Sequence, residues 1–369
     1  MVPRRRRRRG SRRLISRDTM AAAACVILIA ILWLTYETSP HHNSRKSDNK
    51  AERVAAPSTR RAIAVRTRTG PLTGRAKSSR QTPRRATART AVRPARTATV
   101  DASSPIAPAL AANAQASFAN LTSRLGLDGR LAIAVQPLGR GSIEDLGGDP
   151  PMQAMSTSKI LILSALLRDK GGVNNLTAEQ RSLAQAAVTE SDNDAILALF
   201  GDLEVDKGGL LGASAYATIL LRQVGDAQTE VTTAPPPPGY ATTFGQTPWT
   251  PTAEVTFFRS LALGCILPRA DTNYVLGLMR SIEPSESFGL GSAGFARVAF
   301  KGGWGPEPGD QYGVRQTGII GAGSSGVVVS ITANPVSTFT AGQLVLDQVA
   351  HWLHKEVRIA PRPPTACPG

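Results

Sequence analysis

The stretch Met155-Ser156-Thr157-Ser158-Lys159 leads into an almost wholly apolar run, Ile160-Leu161-Ile162-Leu163-Ser164-Ala165-Leu166-Leu167. If this run is a helix, Ser156 and Lys159 lie on one face, one turn apart. Because the run is apolar all round, we expect a central helix that other elements bury. A serine hydroxyl at the positive end of that helix, with an amine in reach to take its proton, is the arrangement of a nucleophile and its base.

The same residues have a plainer interpretation. Ser156 could cap a helix, and Lys159 could be a solvated charge. A second Ser-x-x-Lys occurs at Ser47-Asp48-Asn49-Lys50, in a polar basic tract where no helix could be buried. The spacing by itself therefore identifies no site, and the rest of the chain has to decide between the two interpretations.

Charge divides the chain into two unlike parts. Residues 1–105 contain 25 Lys+Arg and 5 Asp+Glu, whereas residues 106–369 contain 18 and 22. The formal net charge of +16 is therefore a property of the N-terminal part. The remainder is a mildly acidic globule rich in Ala, Gly, Val and Leu, and 369 residues leave room for two average domains or one large one.

The N-terminal part predicts a membrane anchor. Residues 1–19 form an Arg-rich tail, and residues 20–36 carry no charge and end with Trp33 and Tyr36 as interfacial aromatics. The arginines before the span predict a single-pass cell-membrane protein whose C-terminal domain is extracytoplasmic. Ser11-Arg12-Arg13-Leu14 also resembles a twin-arginine export signal. No small-x-small cleavage site follows the span, which favours a retained anchor.

Residues 37–104 are rich in Arg, Thr, Ala, Ser and Pro and contain few large apolar residues. Because this composition cannot bury a core, we expect a disordered basic linker. Attraction to an anionic cell envelope is the favoured role, and simple spacing is the plainer one. A nucleic-acid-binding arm is the alternative. The segment lacks interleaved aromatics and is expected outside the cell, so no nucleic-acid partner is expected.

Residues 105–358 are predicted to be the folded domain and residues 359–369 a tail. The predicted elements, in order, are a helix in 106–126, a strand at 131–135 with a hairpin partner at 142–146, the Ser156 helix, further helices beginning at Thr177 and over 194–200 and 209–224, an irregular loop over 226–249, helices opened by Pro251 and Pro268, strands at 296–301, 313–320 and 326–332, and a terminal helix. This order predicts an α/β (α+β) fold. Its antiparallel sheet is built from both ends of the domain, with flanking terminal helices and an all-helical insert.

The inventory of polar residues argues against several kinds of site. Cys25, Cys265 and Cys367 have no metal-ligand spacing and define no disulfide framework. The histidines all lie outside the central part of the globule, which argues against a Ser-His-Asp triad. We therefore expect neither a metal nor another cofactor.

Two further motifs complete a set of three. Ser191-Asp192-Asn193 falls between two predicted helices, and Lys301-Gly302-Gly303 is expected to end the first of the three late strands. With the Ser156–Lys159 motif they occur in the order Ser-x-x-Lys, Ser-Asp-Asn, Lys-Thr-Gly. Over residues 105–358 the chain therefore resembles the class A β-lactamase and penicillin-binding protein superfamily of serine hydrolases.

The resemblance implies a catalytic role for three residues. Ser156 would attack an amide carbonyl and form an acyl-enzyme. Lys159 would take the serine proton, which requires a neutral amine, and burial and the cation of Lys301 both favour neutrality. Ser191 would relay the proton to the leaving nitrogen.

The resemblance also implies substrate-binding groups. Asn193 would hold a side-chain amide of the substrate, and Lys301 would supply positive potential for a substrate carboxylate. Gly303 and Trp304 follow that lysine. The backbone N–H groups of Ser156 and Trp304 would hold the oxyanion. The indole of Trp304 would either pack against the sheet or form an aromatic wall of the site.

Two departures from the family pattern bear on activity. Gly302 stands where the family has a hydroxyl residue that contacts the substrate carboxylate. The loop at 226–249 resembles the family's omega loop, yet it reads Thr232-Thr233-Ala234-Pro235 where β-lactamases carry the glutamate that activates the deacylating water. Glu230 lies nearby, but at a position where the family usually has a basic residue.

The sequence thus predicts a membrane-anchored extracytoplasmic serine hydrolase that is acylated on Ser156 by β-lactam or related amide substrates. One alternative is a penicillin-binding or D,D-carboxypeptidase-like enzyme that acts on peptidoglycan stem peptides. Another is a catalytically impaired homologue that binds the cell wall.

Overall fold

The computed structural model describes residues 108–367. The predicted tail (1–19), membrane span (20–36) and linker (37–104) lie outside the described residues. The strands are β1 (Leu131–Pro137), β2 (Glu144–Leu146), β3 (Met152–Gln153), β4 (Pro248–Trp249), β5 (Val298–Glu307), β6 (Gln311–Ile320) and β7 (Val327–Val336). The helices are α1 (Ala114–Leu125), α2 (Ser158–Asp169), α3 (Ala178–Thr189), α4 (Asn193–Lys207), α5 (Leu210–Gln223), α6 (Pro251–Ala262), α7 (Arg269–Arg280) and α8 (Phe339–Glu356).

Five strands form one antiparallel sheet in the order β2-β1-β7-β6-β5, and β3 pairs separately with β4. The early strand β1 lies beside the late strand β7, with Leu131 opposite Ala333 and Pro137 opposite Val327. The sheet is therefore built from both ends of the domain, as predicted, and β5 forms one of its edges.

A hydrophobic core lies on each side of the sheet. Alternate residues of β7 point to opposite faces, so that Val328 joins the core made with α2–α7 and Val329 joins the core made with α1 and α8. The predicted α+β architecture, with terminal helices on one face and a helical insert on the other, is confirmed.

Helix α2 is the central element of the helical side. Every residue from Ser158 to Leu167 is buried, as expected for a helix that is apolar all round. Burial of each large aliphatic side chain contributes about 1.5–3 kcal/mol. The core of the domain consequently holds helix α2 in place. This fixes the direction in which the side chain of Lys159 projects from the helix.

Local signals at helix starts agree with the sequence. Thr177 and Gln180 form the predicted capping box at the start of α3. Thr250 caps α6, with Pro251 in its first turn.

The expectation that Lys301-Gly302-Gly303 ends a strand was wrong. β5 continues to Glu307 because it pairs with β6 along its whole length, from Val298 opposite Ile320 to Glu307 opposite Gln311.

The residues after α8 pack against the domain. The side chain of Arg362 is buried and donates to the carbonyls of Pro108 at 3.1 Å and Arg358 at 3.2 Å.

A disulfide joins Cys265, just after α6, to Cys367. The sequence offered no basis for this pairing, because the two cysteines are 102 residues apart and meet only through the fold. Within residues 108–367, no helix has the length and apolar character needed to cross a bilayer.

Candidate active site

Ser156 lies in a 3-10 turn, Met155–Thr157, that runs directly into α2. Two hydrogen bonds of Ala154, the residue before the turn, hold it in place. The N–H of Ala154 donates to the carbonyl of Thr247 at 2.8 Å, and the carbonyl of Ala154 accepts from the Thr157 hydroxyl at 2.6 Å. Met155, just before the serine, has a φ of 49°. A non-glycine residue in this left-handed region stores strain, and such strain clusters at functional sites.

Strand β5 approaches this turn closely at Gly303. A Cβ atom at Gly303 would lie 2.8 Å from both Met155 Cβ and the backbone nitrogen of Ser156. Only glycine therefore permits the strand to come this near. This close approach brings the backbone of β5, including the neighbouring Trp304, to the same cleft as Ser156.

The Lys159 side chain is 1% exposed. Its amine donates to the backbone carbonyl of Ser191 and, at 3.1 Å, to that of Asp192. Burial, and secondly the charge of Lys301, lower the pKa of Lys159 to about 7. A large fraction of this amine is therefore neutral near pH 7, which a proton acceptor requires. In the described part of the chain, the Ser156 hydroxyl forms no hydrogen bond with Lys159 or with another side chain.

Ser191 joins the two lysines. It lies between α3 and α4 with a φ of 60°, and in this conformation its carbonyl faces Lys159 while its hydroxyl accepts a hydrogen bond of 2.8 Å from Lys301. Asp192 caps α4 by accepting from the N–H of Ala195 at 2.9 Å. Within the Ser-Asp-Asn motif, Asp192 therefore has a structural role as a helix cap, whereas Ser191 and Asn193 line the cleft.

Lys301 is also 1% exposed, and its amine makes a second hydrogen bond, of 3.2 Å, to the carbonyl of Gly302. Burial lowers the pKa of Lys301 to about 8, although the Glu286 carboxylate acts in the opposite direction. At neutral pH most of this amine is charged. The structure thus separates the two lysines into one that is readily neutral and one that is mostly cationic.

Glu286 was not anticipated from the sequence. It ends the short turn Pro284–Glu286, which is held to the end of α3 because the N–H of Glu283 donates to the carbonyl of Thr189 at 3.0 Å. Burial raises the pKa of Glu286, while the amines of Lys301 and Lys159 lower it. No periodicity or motif marks this residue, and only the fold shows that its carboxylate is the acid that acts on both lysines.

A cleft of about 440 Å³ opens over Ser156. Four of the predicted residues line it, namely Ser156, Ser191, Asn193 and Trp304, and Lys159 and Lys301 are buried and do not belong to its lining. Its opposite wall comes from the segment Gly239–Thr242 of the long loop. The structure therefore brings the three motifs together at one cleft, with the two amines within the protein behind it.

Trp304 meets the cleft through its backbone. Successive residues of β5 face opposite sides of the sheet, and Gly303 and Gly305 face Met155 and Tyr240. The indole of Trp304 accordingly lies on the other side, with its ring centroid 4.6 Å from that of Phe339. This is the packing alternative for the indole, and it leaves the backbone N–H of Trp304 as the group available to a substrate.

The neighbour of Gly302 on β6 is an amide side chain that already has hydrogen-bond partners. Gly302 is opposite Gln316 on β6, whose side-chain amide donates to the carbonyl of Phe288 at 2.9 Å and accepts from the N–H of Leu290 at 2.8 Å. Both polar groups of the Gln316 side chain are therefore engaged in hydrogen bonds with the turn at 288–290.

No Asp or Glu lines the cleft within the described residues. The Glu230 side chain is 81% exposed and lies 3.4 Å from Arg222 on the surface.

Tyr240, which the sequence did not single out, donates its hydroxyl to the carbonyl of Pro306, and burial raises its pKa to about 12. This contact ties the long loop to β5 and closes one end of the cleft.

Comparison with known proteins gives fold relatives only. No family model and no curated protein matches the sequence. Among solved structures, a class A β-lactamase from Mycobacterium abscessus is similar, with 17% identity, a TM-score of 0.51 and coverage of 66% of this chain and 98% of that chain. The chromosome-encoded β-lactamase of Vibrio parahaemolyticus has 18% identity, a TM-score of 0.50 and coverage of 66% and 98%.

A mutant of the class A β-lactamase of the last common ancestor of Gram-negative bacteria is similar as well, with 22% identity, a TM-score of 0.51 and coverage of 66% of this chain and 97% of that chain. At these identities the likeness shows the fold. The described residues have the fold of the class A β-lactamases, and the resemblance inferred from the three motifs is confirmed at that level.

Proposed function

We propose that this protein is a serine hydrolase that is acylated on Ser156 by β-lactam or related amide substrates. The observation that carries the proposal is the convergence of Lys159 and Lys301 on Ser191, beside the cleft that Ser156 lines. One amine with a pKa of about 7 and one with a pKa of about 8 provide a proton acceptor and a cation in the same site at neutral pH.

In the proposed acylation, Ser156 Oγ forms a bond to the substrate carbonyl carbon, and its proton passes to the neutral amine of Lys159. The N–H groups of Ser156 and Trp304 stabilise the oxyanion. The amide C–N bond then breaks, and the proton that Lys159 accepted passes through the Ser191 hydroxyl, which Lys301 orients, to the leaving nitrogen, so Lys159 is neutral again. Asn193 binds the substrate's side-chain amide, and Lys301 attracts its carboxylate. Ser156 is not bonded to Lys159 in this structure, so this step requires that the contact form when the substrate binds.

Deacylation is proposed to be slow, because no carboxylate lines the cleft to activate a water molecule. This observation favours, as a second candidate, a penicillin-binding or D,D-carboxypeptidase-like action on peptidoglycan stem peptides. Both polar groups of the Gln316 side chain, opposite Gly302, are hydrogen-bonded to the turn at 288–290, so Gln316 has no polar group left for a substrate. This observation supports the third possibility, a cell-wall-binding homologue with impaired catalysis.

The proposal includes a location. The uncharged residues 20–36, with arginines before them, support a single-pass membrane anchor and an extracytoplasmic domain over 105–358, and the basic residues 37–104 support attraction to an anionic envelope. Protease treatment of intact cells is expected to degrade residues 105–369. Protection of these residues would contradict the location and favour nucleic-acid binding by the basic segment instead.

Intact-mass measurement of the full-length protein after incubation with a penicillin tests the chemistry. We expect one covalent adduct, which Ser156→Ala abolishes. Ser158→Ala is the matched control, because its hydroxyl is buried and bonded to the carbonyl of Met155, and it should keep the adduct. A lasting adduct supports the penicillin-binding-like reaction, and rapid turnover of a chromogenic cephalosporin supports β-lactamase activity. Absence of an adduct and of turnover, with D-alanyl peptides as well, would contradict both.

A further inference from the structure

A second cavity, of about 490 Å³, lies away from the catalytic cleft and shares none of its lining residues. One wall is a face of α7 that carries Arg269, Asn273, Leu276 and Arg280. The other comprises Arg297, the adjoining ends of β5 and β6, and the turn 321–323. We call this cavity the arginine groove. Its α7 residues recur every three or four positions, so they form one stripe along the helix.

The groove concentrates unpaired positive charge. Arg269, Arg280 and Arg297 line it, and no Asp or Glu does. All three side chains are exposed, and within residues 108–367 none of them takes part in a salt bridge or a hydrogen bond. Seven of the ten other arginines in this range donate side-chain hydrogen bonds, as Arg259 does to the carbonyl of Pro137 at 2.7 Å. The domain as a whole is mildly acidic, so this cluster is a local exception.

The charge of Arg297 acts on the guanidinium group of Arg280. Burial lowers the pKa of Arg280, and the charge of Arg297 lowers it further. Like charges held together without a counter-ion repel, and an anion between them removes that repulsion. A single carboxylate neutralises one guanidinium. A phosphoryl group with two negative charges matches two, and its oxygens accept paired hydrogen bonds from the arginine fork.

The remaining features indicate an extended ligand. Arg269 and Arg280 are separated by eleven helical positions, which is about 16 Å along the axis. Apolar side chains, including Leu138, Leu276 and Ile319, line the same cavity. A small inorganic anion would occupy only one end, whereas a longer organic molecule would contact both arginine ends and these apolar side chains.

We propose that the arginine groove binds an elongated phosphoryl-bearing anion, with one phosphoryl group between Arg280 and Arg297 and a second negative group near Arg269. The phosphoryl group is supplied either by a soluble polyphosphate or organic phosphate or by the headgroup of a phospholipid. The groove is separate from the catalytic cleft, so this inference does not depend on the proposed hydrolase activity.

The test uses full-length protein and inorganic tripolyphosphate as the probe. Binding to the folded domain raises its melting temperature in a saturable manner. We expect the double variant Arg280→Gln/Arg297→Gln to need at least tenfold more tripolyphosphate for the same rise. The control is Arg124→Gln/Arg140→Gln, which removes two exposed arginines outside the groove and should behave like wild type. Residues 1–105 are identical in every variant, so their charge cancels in the comparison, and matched NaCl corrects for ionic strength.

The same melting-temperature measurement with water-soluble dihexanoyl phosphatidylglycerol identifies the source of the phosphoryl group, because it reports on the folded domain and not on residues 1–105. A rise that is lost only in the groove variant assigns a lipid headgroup, and a groove effect with tripolyphosphate alone assigns a soluble phosphate. If the double variant does not fold, Arg297→Gln alone replaces it. Equal responses of groove variant, control and wild type to both probes, or no saturable response in wild type, would overturn the inference.

Discussion

Lys301 and Ser191, which are 110 residues apart in the chain, are joined by a hydrogen bond of 2.8 Å from the lysine amine to the serine hydroxyl. The carbonyl of the same serine accepts a hydrogen bond from Lys159. One residue between two helices therefore fixes the relative positions of a lysine from the helical core and a lysine from the edge strand. The electrostatics of the candidate site depend on this contact.

Ser191 has a left-handed backbone, which costs a non-glycine residue about 1–2 kcal/mol. Ser191→Gly and Ser191→Ala both remove the hydroxyl, so both should lower the acylation rate by about 10² or more. The glycine variant should nevertheless be more stable than the alanine variant by about 1 kcal/mol, a difference of about 2–4 °C in Tm for a domain of this size. Equal Tm values would show that this conformation stores no strain.

Acylation should depend on pH through the two lysines. With a pKa of about 7, Lys159 becomes neutral as pH rises through 7, so the rate of adduct formation should increase there. With a pKa of about 8, Lys301 loses its charge above that pH, and the rate should fall again. Single-turnover rates between pH 5 and 10 measure this bell. In Lys301→Gln the upper limb should vanish and the lower limb should move to higher pH, because the cation that lowers the Lys159 pKa is gone. A lower limb that stays in place would contradict this coupling.

Glu286 raises the pKa of both lysines. In Glu286→Gln we therefore expect both limbs of the pH profile to move to lower pH. Glu283→Gln is the matched control, because it changes an exposed acid on the same turn and leaves the backbone bond to Thr189 intact. If the two variants have the same profile as wild type, Glu286 has no electrostatic role in the site.

Gly302 can be replaced without a clash. A Cβ atom there would lie 3.6 Å from the nearest atom of Gln316, which is an ordinary contact. Gly302→Thr should supply the missing hydroxyl and lower KM for carboxylate-bearing β-lactams by about tenfold, since a hydrogen bond to a charged group contributes about 1.5–3 kcal/mol. Gly303→Thr is the contrasting variant. Its Cβ would lie 2.8 Å from Met155 and Ser156, so acylation should be lost. An unchanged KM in Gly302→Thr would show that the hydroxyl doesn't reach the substrate.

Tyr240 closes one end of the cleft. A Cβ atom at Gly305 would lie 2.2 Å from the tyrosine ring, and the hydroxyl bonds the carbonyl of Pro306. Tyr240→Ala should open this end and raise kcat/KM about tenfold for β-lactams with bulky acyl side chains, with little effect on small ones. Tyr240→Phe keeps the ring and should retain the preference of wild type. A uniform change for all substrates would assign Tyr240 a structural role instead.

Local sequence patterns predicted much of the fold. The apolar run after Ser156 predicted a buried helix, the Thr177 capping box marked a helix start, and β-type runs near both ends of the domain predicted a shared sheet. Strand ends were less accurate, as β5 shows. The motif Lys301-Gly302-Gly303 was expected to end this strand, but pairing with β6 extends it to Glu307. Tertiary hydrogen bonds outweigh local propensity in strands.

The order of three short motifs, by itself, predicted the fold of the described residues and the side chains of the candidate site, because the proposed nucleophile, proton acceptor and cation each require particular residue types. Only the tertiary structure decided their electrostatic states, since burial and charges from distant segments set a pKa. It showed Lys159 and Lys301 buried together, Glu286 acting on both, the Trp304 indole turned away from the cleft, and Cys265 paired with Cys367. Each of these depends on contacts between residues far apart in the chain, and no local pattern encodes them.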